Sequence, residues 1–372
     1  MRNQFKNLYL DIHMIQMLPP SNVNRGQMGE PKTALIGSTT RARISSQSQK
    51  RPARLDFMRR GYDIGIRTKF PAEEIKRRLI ASGMAEDRAA ELAKTAVTVS
   101  QIASSKEDAK GTLVYLSGAQ FDAMCEVLRA YDREPAEEAP KKGKEKGKEK
   151  GKKENDPRAA KLKKDLVAAI RENPSIDQLL FGRMFADNAS LNYDAAAQVM
   201  HGFSVNKVKY EFDYFSAVDD LSKKLDPEHS GAGHISSKLF TDPVLYRYAN
   251  VNLSETSELI RFDKENAADD AVAFAESFIM TLPTGASNSY ASGTMPSYVL
   301  LILRDDRPIN FAPAFIEAVK SDNYIAEAIE KLEKEKERIA GCFGAPVFSE
   351  SSKDASLKDM LARVREEITG RI

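Results

Sequence analysis

Residues 6–17 read KNLYLDIHMIQM, and apolar side chains alternate with others along this stretch. Two sets of side chains would lie on opposite faces of an extended chain: Leu8, Leu10, Ile12 and Met14 on one face, and Tyr9, Asp11 and His13 on the other. Period-two alternation of this kind is typical of a half-buried β-strand. We therefore predict that the chain opens with a sheet strand that has one face toward a core.

A basic segment follows this strand. Residues 19–43 are polar and contain glycine, which favours an ordered loop over a regular element. The next stretch, ISSQSQKRPARLDFMRR (44–60), predicts a helix, because Ser46 and Gln49 have the spacing of a capping box. Pro52 lies within this predicted helix, where its missing N–H would kink or delay the first turns.

The middle of the chain has a helical pattern. Apolar residues recur at three- and four-residue spacing over 71–131 and again over 162–170. Residues 134–158 consist mainly of Lys, Glu, Gly and Pro, and they include KKGKEKGKEKGKKEND (141–156). Such side chains bury too little surface to offset the entropy of ordering, so we predict disorder for 134–158.

Strand patterns return in the second half. KVKYEFDYF (207–215) alternates and LYRYANVNL (245–253) has the pattern of a return strand, so we predict an extended two-stranded arm over 207–253. A helix is expected at 266–281, and SYVLLILRD (297–305) has the continuous apolar sequence of a strand buried on both faces. Further helices are predicted at 310–320, 322–340 and 355–370.

These patterns together predict an α+β fold. If the helical block is set aside as an insertion, the remaining strands and helices follow an order compatible with an RRM-like α+β sandwich. Cys125 and Cys342 lie far apart, and neither belongs to a C-x-x-C pair, so neither a disulfide framework nor a zinc site is predicted. No stretch has the apolar length of a signal peptide or a membrane span, and we expect a cytoplasmic protein with no membrane partner.

Charge is distributed unevenly along the chain. Residues 1–60 hold 11 Lys or Arg against 3 Asp or Glu, and residues 141–164 hold 12 against 4. Since the net charge of the whole chain is only +2, the remainder is strongly acidic. Two basic segments on an acidic body suit a protein that offers one face to a polyanion. Two solvated surface segments without a partner would give the same charge pattern.

The sequence has no spacing of histidines and acidic residues that strongly indicates an acid/base pair or a metal site. The histidines are scattered: His13, His201, His229 and His234. Asp219 and Asp220 are adjacent, and neighbouring side chains usually diverge on a strand or a helix. The sequence therefore predicts no catalytic residue, no metal site and no cofactor.

Cations cluster around the start of the predicted basic helix: Arg41, Arg43, Lys50, Arg51 and Arg54. Lys50 and Arg54 are four residues apart and share one helical face. A helix N-terminus adds free backbone N–H groups and the positive end of the helix dipole. This combination predicts a cradle for nucleic-acid phosphates, with a solvated basic helix as the alternative.

Several motifs resemble one known family. RARISSQSQKRPAR (41–54), preceded by NRG at 24–26, is similar to the RxRISSQSxKR segment of CasC, the backbone subunit of the type I-E CRISPR Cascade complex. Three later stretches resemble other motifs of that family in the same order: GRMFAD (182–187), AAAQVMHGFSVNKVKYEFDYFSAVDDL (195–221) and YRYANVNL (246–253). The resemblance covers about half of the chain.

The resemblance implies a hand-shaped protein with an RRM-like palm, an inserted helical fingers domain and a protruding β-hairpin thumb. The corresponding ranges are 1–60 for the first part of the palm, 61–175 for the fingers, 176–206 for the continued palm, 207–247 for the thumb, and 248–372 for the last part of the palm with C-terminal helices. Copies of such a protein oligomerise along a guide RNA in a helical filament.

The resemblance also implies a function in antiviral defence. The protein would bind crRNA without catalysis of its own, as part of a ribonucleoprotein that presents the guide for pairing with target DNA. Its implied partners are crRNA, target DNA, neighbouring copies of itself, other Cascade subunits, and a nuclease that is recruited or built in.

Residues are transferred from the family by motif position. The guide phosphates and sugars would be met by Asn24, Arg25, Lys32, Arg43, Ser45, Gln47, Lys50, Arg51 and Arg54, and the charge pattern adds Arg41 as an RNA-binding candidate. A displaced base would be met by Met184, Phe215, Ser216 and Val218.

Two other functions remain open. Related backbone subunits cut RNA through an acidic residue, which would make Asp219 or Asp220 the candidate in a metal-dependent endoribonuclease. A stand-alone single-stranded RNA-binding module would also fit the basic segment and the aromatic arm.

Overall fold

The computed structural model describes residues 7–102, 113–133, 157–185, 188–218, 220–221, 224 and 232–372. The chain divides into two compact units. Unit 1 comprises Met1–Arg60 and Ala197–Ile372, and unit 2 comprises Gly61–Ala196. The sequence predicts an insertion over 61–175, whereas the compact unit also includes residues 176–196.

Unit 1 contains most of the strands, and helices dominate unit 2. The strands are β1 Tyr9–Met17, β2 Thr33–Ile36, β3 Thr39–Ile44, β4 Ile66–Thr68, β5 Val114–Leu116, β6 Ala197–Val199, β7 Gly202–Ser204, β8 Glu211–Val218, β9 Ala232–Phe240, β10 Val244–Asn252, β11 Tyr298–Arg304 and β12 Phe348–Ser351. The α-helices are α1 Ser46–Arg59, α2 Pro71–Ala81, α3 Glu86–Ser100, α4 Gly118–Arg133, α5 Pro157–Arg171, α6 Ile176–Phe181, α7 Glu258–Asp263, α8 Ala267–Met280, α9 Ser287–Tyr290, α10 Tyr324–Phe343 and α11 Leu357–Thr369.

Unit 1 is built on a large antiparallel sheet with the strand order β12-β11-β1-β10-β7-β3-β2. β6 also pairs with β10. β1 lies between β10 and β11. Helix α10 packs on one face of the sheet, in the same core cluster as Ile15. Helix α8 packs on the other face, where the side chain of Arg247 donates to the carbonyl of Phe278. The sheet is therefore covered by helices on both faces.

β1 differs from the half-buried strand that its alternation predicts. All of its residues are buried except the two at its ends. Asp11 accepts a hydrogen bond from the Tyr248 hydroxyl at 2.6 Å, and the His13 ring stacks on Phe311 with centroids 4.2 Å apart. The polar side chains on the predicted solvent face are buried because a second helical layer covers that face.

A β-hairpin lies within the predicted loop at 19–43. β2 and β3 pair from Thr33↔Ala42 to Ile36↔Thr39, and the two residues between them, Gly37 and Ser38, both have positive φ (54° and 59°). Positive φ at both central residues is the geometry of the tight turns that match the twist of paired strands. The loop prediction is wrong there because these short strands lie at a partly exposed sheet edge and carry little apolar periodicity.

The predicted return strand at 245–253 belongs to the main sheet. It corresponds to β10, which pairs with β1 and is buried at every residue but the last. A separate two-stranded hairpin is formed by β8 and β9 instead, which pair from Glu211↔Phe240 to Val218↔Ala232. The predicted arm at 207–253 and thumb at 207–247 therefore extend too far, since continuous burial on both faces is typical of a central strand.

Helix α1 begins one residue away from the predicted cap. Ser45, rather than Ser46, is the N-cap residue, and its Oγ accepts a hydrogen bond from the Ser48 N–H at 3.4 Å. Pro52 lies inside the helix, which continues through it to Arg59. The helix itself is thus confirmed, and its capping residue is corrected.

Other predicted elements of the C-terminal half are confirmed as α8, β11, α10 and α11. β11 is buried at every residue, as its continuous apolar sequence predicts. The helix predicted at 310–320 is wrong, because this range contains only the 3-10 turn Ala312–Phe315. Pro313 lies in that turn and supplies no backbone donor to extend it.

Unit 2 has its own core between α2, α3, α4 and α5. The core includes Ile75, Leu79, Leu92, Phe121, Leu128, Leu166 and Ile170. The predicted disordered stretch 134–158 falls on residues outside the described part of the chain, except that α5 already begins at Pro157. Among the described residues, no helix combines the length and apolar content needed to cross a membrane.

Candidate nucleic-acid interface

Helix α1 turns one stripe toward the core and leaves polar side chains outside. The buried stripe consists of Gln49, Ala53 and Phe57. Gln47 and Arg51 are exposed on the opposite side, and Lys50 and Arg54 are half-buried along the flank. The four-residue spacing of the buried stripe therefore holds these predicted site residues on the outer surfaces of one rigid helix.

Partial burial already affects Lys50. Desolvation lowers the pKa of its ammonium group, because burial disfavours the charged form. A phosphate oxygen placed beside this group would favour the charged form again. A bound anion would therefore stabilise the charged ammonium group of Lys50, which burial alone disfavours.

Hydrogen bonds bring four other predicted residues together. The Lys32 N–H donates to the Asn24 carbonyl at 2.9 Å, and the Arg43 N–H donates to the Lys32 carbonyl at 2.8 Å. The Asn24 Oδ1 accepts from the Ser45 N–H at 2.8 Å. Asn24 thus ties the segment before β2 to the N-terminus of α1, and Lys32 lies beside Arg43 where β2 and β3 begin to pair.

Four cations of this region have no carboxylate partner within the described part of the chain: Arg25, Lys32, Arg43 and Arg51. We define the basic surface by the predicted residues that lie on it: Asn24, Arg25, Lys32, Arg43, Ser45, Gln47, Lys50, Arg51 and Arg54. Uncompensated cations beside amide and hydroxyl groups form the chemistry that binds a phosphodiester backbone.

Arg41 does not belong to this surface, and its assignment as an RNA-binding residue is corrected. Its side chain is fully buried. Its Nη1 donates to the carbonyls of Ser204 and Val205, each at 2.8 Å, and its Nη2 donates to the carbonyl of Phe315 at 3.2 Å. Strand alternation places Arg41 and Arg43 on the same face of β3. The turn at Phe315 covers that face only at Arg41, so Arg43 alone reaches the surface.

His201, which lies in the motif 195–221 but was not predicted as a site residue, lies next to the basic surface. His201 precedes β7, which pairs with β3 through Arg43↔Phe203 and Ile44↔Gly202. The Arg43 Nη1 lies 2.8 Å from the His201 Nδ1. Spacing along the chain gives no sign of this pair, because β-sheet pairing brings the two residues together across 158 positions.

An open cavity of about 450 Å³ lies along the other flank of α1. Its lining includes Ser48, Arg51, Pro52, Leu55 and Arg59 from the helix, together with residues of the segment 280–295. Arg51 thus belongs to both the basic surface and the cavity wall. Arg59 and the 280–295 segment were not predicted, because they carry no recognisable binding motif.

The β8–β9 hairpin has two different faces. Phe215 is half-buried, with the Lys238 Nζ 5.0 Å from its ring centroid and the His234 ring centroid at 6.3 Å. Phe212 and Tyr214 lie on the other face and are 72% and 68% exposed. Ser216 is exposed, and the side chain of Val218 lies outside the described part of the chain. Both faces therefore present aromatic surface.

Met184 lies in unit 2. It is 82% exposed, whereas its neighbours Arg183 and Phe185 are buried. The Arg183 guanidinium donates to the Leu191 carbonyl at 2.7 Å and to the Gln120 Oε1 at 3.0 Å. The loop therefore holds an apolar side chain outward between two buried anchors.

The acidic candidates lie only partly within the described residues. Asp220 is exposed, and Asp219 and His229 lie outside the described residues. Among the residues that the structure describes, no group of three or more His, Cys, Asp or Glu side chains has the arrangement of a metal site.

The chain resembles known proteins over nearly its whole length. A family model described as CT1975-like protein matches residues 10–368. A solved chain described as "CRISPR RNA-guided surveillance complex, pre-nicking" superposes with a TM-score of 0.74 at 29% identity, covering 98% of this chain and 100% of that one.

A second solved chain, described as "CRISPR RNA-guided surveillance complex", has a TM-score of 0.56 at 24% identity over 98% of this chain and 100% of its own length. At that identity the likeness supports the fold alone. No match was found among curated proteins.

Proposed function

Because the chain belongs to the CT1975-like protein family, one of the Cas/Cascade families, we propose that it is a crRNA-binding subunit of a CRISPR surveillance complex. The observation that carries this proposal is the basic surface, where hydrogen bonds bring predicted guide-binding residues together and four cations have no carboxylate partner among the described residues. The likeness to a chain of a CRISPR RNA-guided surveillance complex supports the same setting.

The basic surface would bind the guide by its backbone. Arg25, Lys32, Arg43 and Arg51 would supply charge to phosphate oxygens, and the side chains of Gln47 and Ser45 would supply hydrogen bonds. Contacts of this kind carry no base information. The subunit would therefore hold any guide sequence with similar affinity, which a complex that accepts many guides requires.

Several copies would assemble along one guide, as in the type I-E Cascade backbone. In this proposal the β8–β9 hairpin of one copy reaches the guide held by the next copy, and Phe215 meets a displaced base there. Bases between successive hairpins would remain free to pair with target DNA. The half-buried Phe215 ring, which Lys238 and His234 flank, supports this role, since unstacked bases pack on aromatic surfaces.

Catalysis is not part of the proposed function. The subunit would hold the guide and position the target, while a separate nuclease, recruited or built into another subunit, would cut DNA. This division of labour would also require interaction surfaces for other Cascade subunits.

Salt-dependent binding of single-stranded RNA tests the proposal. Arg25→Ala with Arg51→Ala removes two exposed cations, and we expect weaker binding of unrelated RNA sequences alike. The slope of log affinity against log salt should fall by about 0.7 for each phosphate that the variant no longer neutralises.

The matched control removes two cations from α10, Lys334→Ala with Arg338→Ala, both of which are ion-paired within that helix. The control changes the net charge equally and should leave the salt slope unchanged. If both double variants change the slope equally, binding depends on overall charge and the basic surface is not the site.

A further inference from the structure

The pair formed by Arg43 and His201 lies at the edge of the basic surface. His201 is exposed, so its imidazole does not fill the core. Its backbone is fixed, because the Gln49 Nε2 donates to the Met200 carbonyl at 2.8 Å and the Met200 N–H donates to the Tyr248 carbonyl at 3.0 Å. A rigid backbone therefore holds an exposed imidazole beside a guanidinium.

The hydrogen bond between the pair determines the tautomer of His201. A guanidinium only donates, so the Arg43 Nη1 must donate and the His201 Nδ1 must accept at 2.8 Å. The neutral imidazole then carries its proton on Nε2. Nε2–H is thus left as an outward donor, and Arg43 is held with its remaining N–H groups beside it.

The surroundings of His201 are positive. Burial lowers the pKa of its imidazole, and Arg43 on β3 and Lys32 before β2 lower it further. Among the described residues, no acidic group contributes to this shift. A phosphate anion in contact with the pair would offset this positive charge.

We propose that His201 is a further guide-contact residue, whose Nε2–H donates to a phosphate oxygen of the RNA backbone while Arg43 fixes its tautomer and shares the same phosphate. This inference rests on the proposed function of the basic surface. It adds a residue outside the basic segment 24–54. The contact uses the neutral imidazole, because a second proton would have to enter at Nδ1, which accepts the hydrogen bond from Arg43.

Two substitutions of His201 test the inference in the full-length protein, with a short single-stranded RNA as the probe. His201→Ala removes the donor, and we expect about tenfold weaker binding at about pH 7.5, in line with a hydrogen bond to a charged group. His201→Gln keeps an N–H donor that does not titrate. It should bind within about twofold of the wild type at that pH.

The pH dependence tests which form of the imidazole makes the contact. Between about pH 7.5 and pH 6, the ratio of wild-type to His201→Gln affinity should stay within about twofold, because Nδ1 accepts from Arg43 and the contact takes up no proton. Unchanged binding by His201→Ala would overturn the inference, and a gain of the wild type over His201→Gln at pH 6 would overturn the assignment of Nδ1 as the acceptor from Arg43. Thermal unfolding of all three proteins should be the same, since His201 is exposed.

A DNA oligonucleotide of the same sequence identifies the contacted atom. A phosphate contact predicts equal reductions in affinity for RNA and DNA in His201→Ala, whereas a reduction confined to RNA would assign the contact to the ribose 2′-hydroxyl and overturn the phosphate assignment. If Arg25→Ala with Arg51→Ala weakens binding while both His201 variants do not, only this inference fails. If neither set changes binding, the proposed function fails as well.

Discussion

Arg41 and Arg43 are two arginines of the same motif, but their environments differ. Arg41 donates to main-chain carbonyls in the interior, and Arg43 projects beside His201 at the surface. Strand alternation puts both on one face of β3, so the difference comes from the chain that covers this face. The covering residue Phe315 is 274 positions from Arg41. The residues next to Arg41 in the sequence therefore do not indicate that it is buried.

Asp270 on α8 is a buried carboxyl group, and its burial is not evident from the sequence. Burial raises the pKa of its carboxyl to about 7, and the nearby Asp263 and Asp269 contribute to the rise. In the unfolded chain this carboxyl ionises near 3.8, so the folded protein binds more protons between about pH 4 and pH 7. Its contribution to the free energy of unfolding therefore becomes unfavourable as the pH rises through this window.

Asp270→Asn should remove this pH-dependent cost. We expect the variant to be more stable than the wild type at about pH 7.5, on the order of 2 kcal/mol, with the difference disappearing near pH 4. Urea unfolding monitored at both pH values measures it. Glu330→Gln is the matched control: it removes an exposed ion pair, to Lys334, that has no part in the Asp270 shift, and it should cost less than about 1 kcal/mol. A stability difference for Asp270→Asn that is the same at both pH values would contradict the prediction.

At the scale of elements, α1 combines a strong cap with an unfavourable interior residue. Ser45 caps the helix, while Pro52 lies well inside it and lacks the N–H that an interior residue donates. A kink or a delayed start at Pro52 was expected from the sequence. The helix nevertheless runs continuously from Ser46 to Arg59, because the buried stripe at Gln49, Ala53 and Phe57 holds it against the sheet layer.

Pro52→Ala should therefore stabilise the protein. Proline is about 3 kcal/mol less favourable than alanine in a helix interior, and we expect a gain of about 1–2 kcal/mol once the packing of the proline ring in the cavity wall is subtracted. RNA affinity should change little, since Pro52 carries no charge. Thermal unfolding and RNA titration of the same preparation measure both quantities. A decrease in stability would mean that the proline ring has an essential packing role.

The β8–β9 hairpin offers a comparison between its own two faces. Phe215→Ala removes the ring that Lys238 and His234 surround, and Phe212→Ala removes an exposed ring from the opposite face. If Phe215 meets a base held by the next copy, only its truncation should reduce the cooperativity of assembly on a full guide, by about 1–3 kcal/mol per neighbouring copy. Binding of one copy to a short RNA should be nearly unchanged in both variants.

The measurement is paired, because affinity for a short RNA and cooperativity on a full guide are determined for each variant. Equal effects of Phe215→Ala and Phe212→Ala would remove the distinction between the faces. A fall in short-RNA affinity as large as the fall in cooperativity would place the hairpin at the same site as the basic surface.

At the scale of the whole molecule, the proposed function includes no cleavage by this subunit. We expect the assembled complex incubated with complementary RNA and Mg²⁺ to leave that RNA intact, and Asp219→Ala and Asp220→Ala to change nothing. Periodic cleavage that disappears in either variant would make the subunit an endoribonuclease. Gel analysis of end-labelled RNA, with an unrelated RNA as the control, gives the result.

Sequence patterns predicted those elements whose burial is uniform or strictly periodic, such as β11, α8 and α11. For β1 and β10 they predicted the strands but missed the full burial of β1 and the place of β10 in the main sheet, because alternation or mixed polarity along a strand does not reveal that helices cover both sheet faces. Most of the basic surface followed from one contiguous segment and its family motif. His201 and Arg59 were not predicted because sheet pairing and helix packing, rather than spacing, bring them to the site.

The division of the chain into two units also determines the order in which the protein is completed during synthesis. Gly61–Ala196 is one continuous segment, so all of unit 2 is synthesised before the second part of unit 1 and can fold during translation. β1 is made first, yet its partner β10 is made much later; His13 and Tyr246, which are hydrogen-bonded, are 233 residues apart. At the usual rates of translation this interval is roughly 10 to 50 s. During this interval β1, which is buried on both faces in the folded protein, has no β10 to pair with and exposes apolar side chains. β1 is therefore the segment that a nascent-chain chaperone would protect.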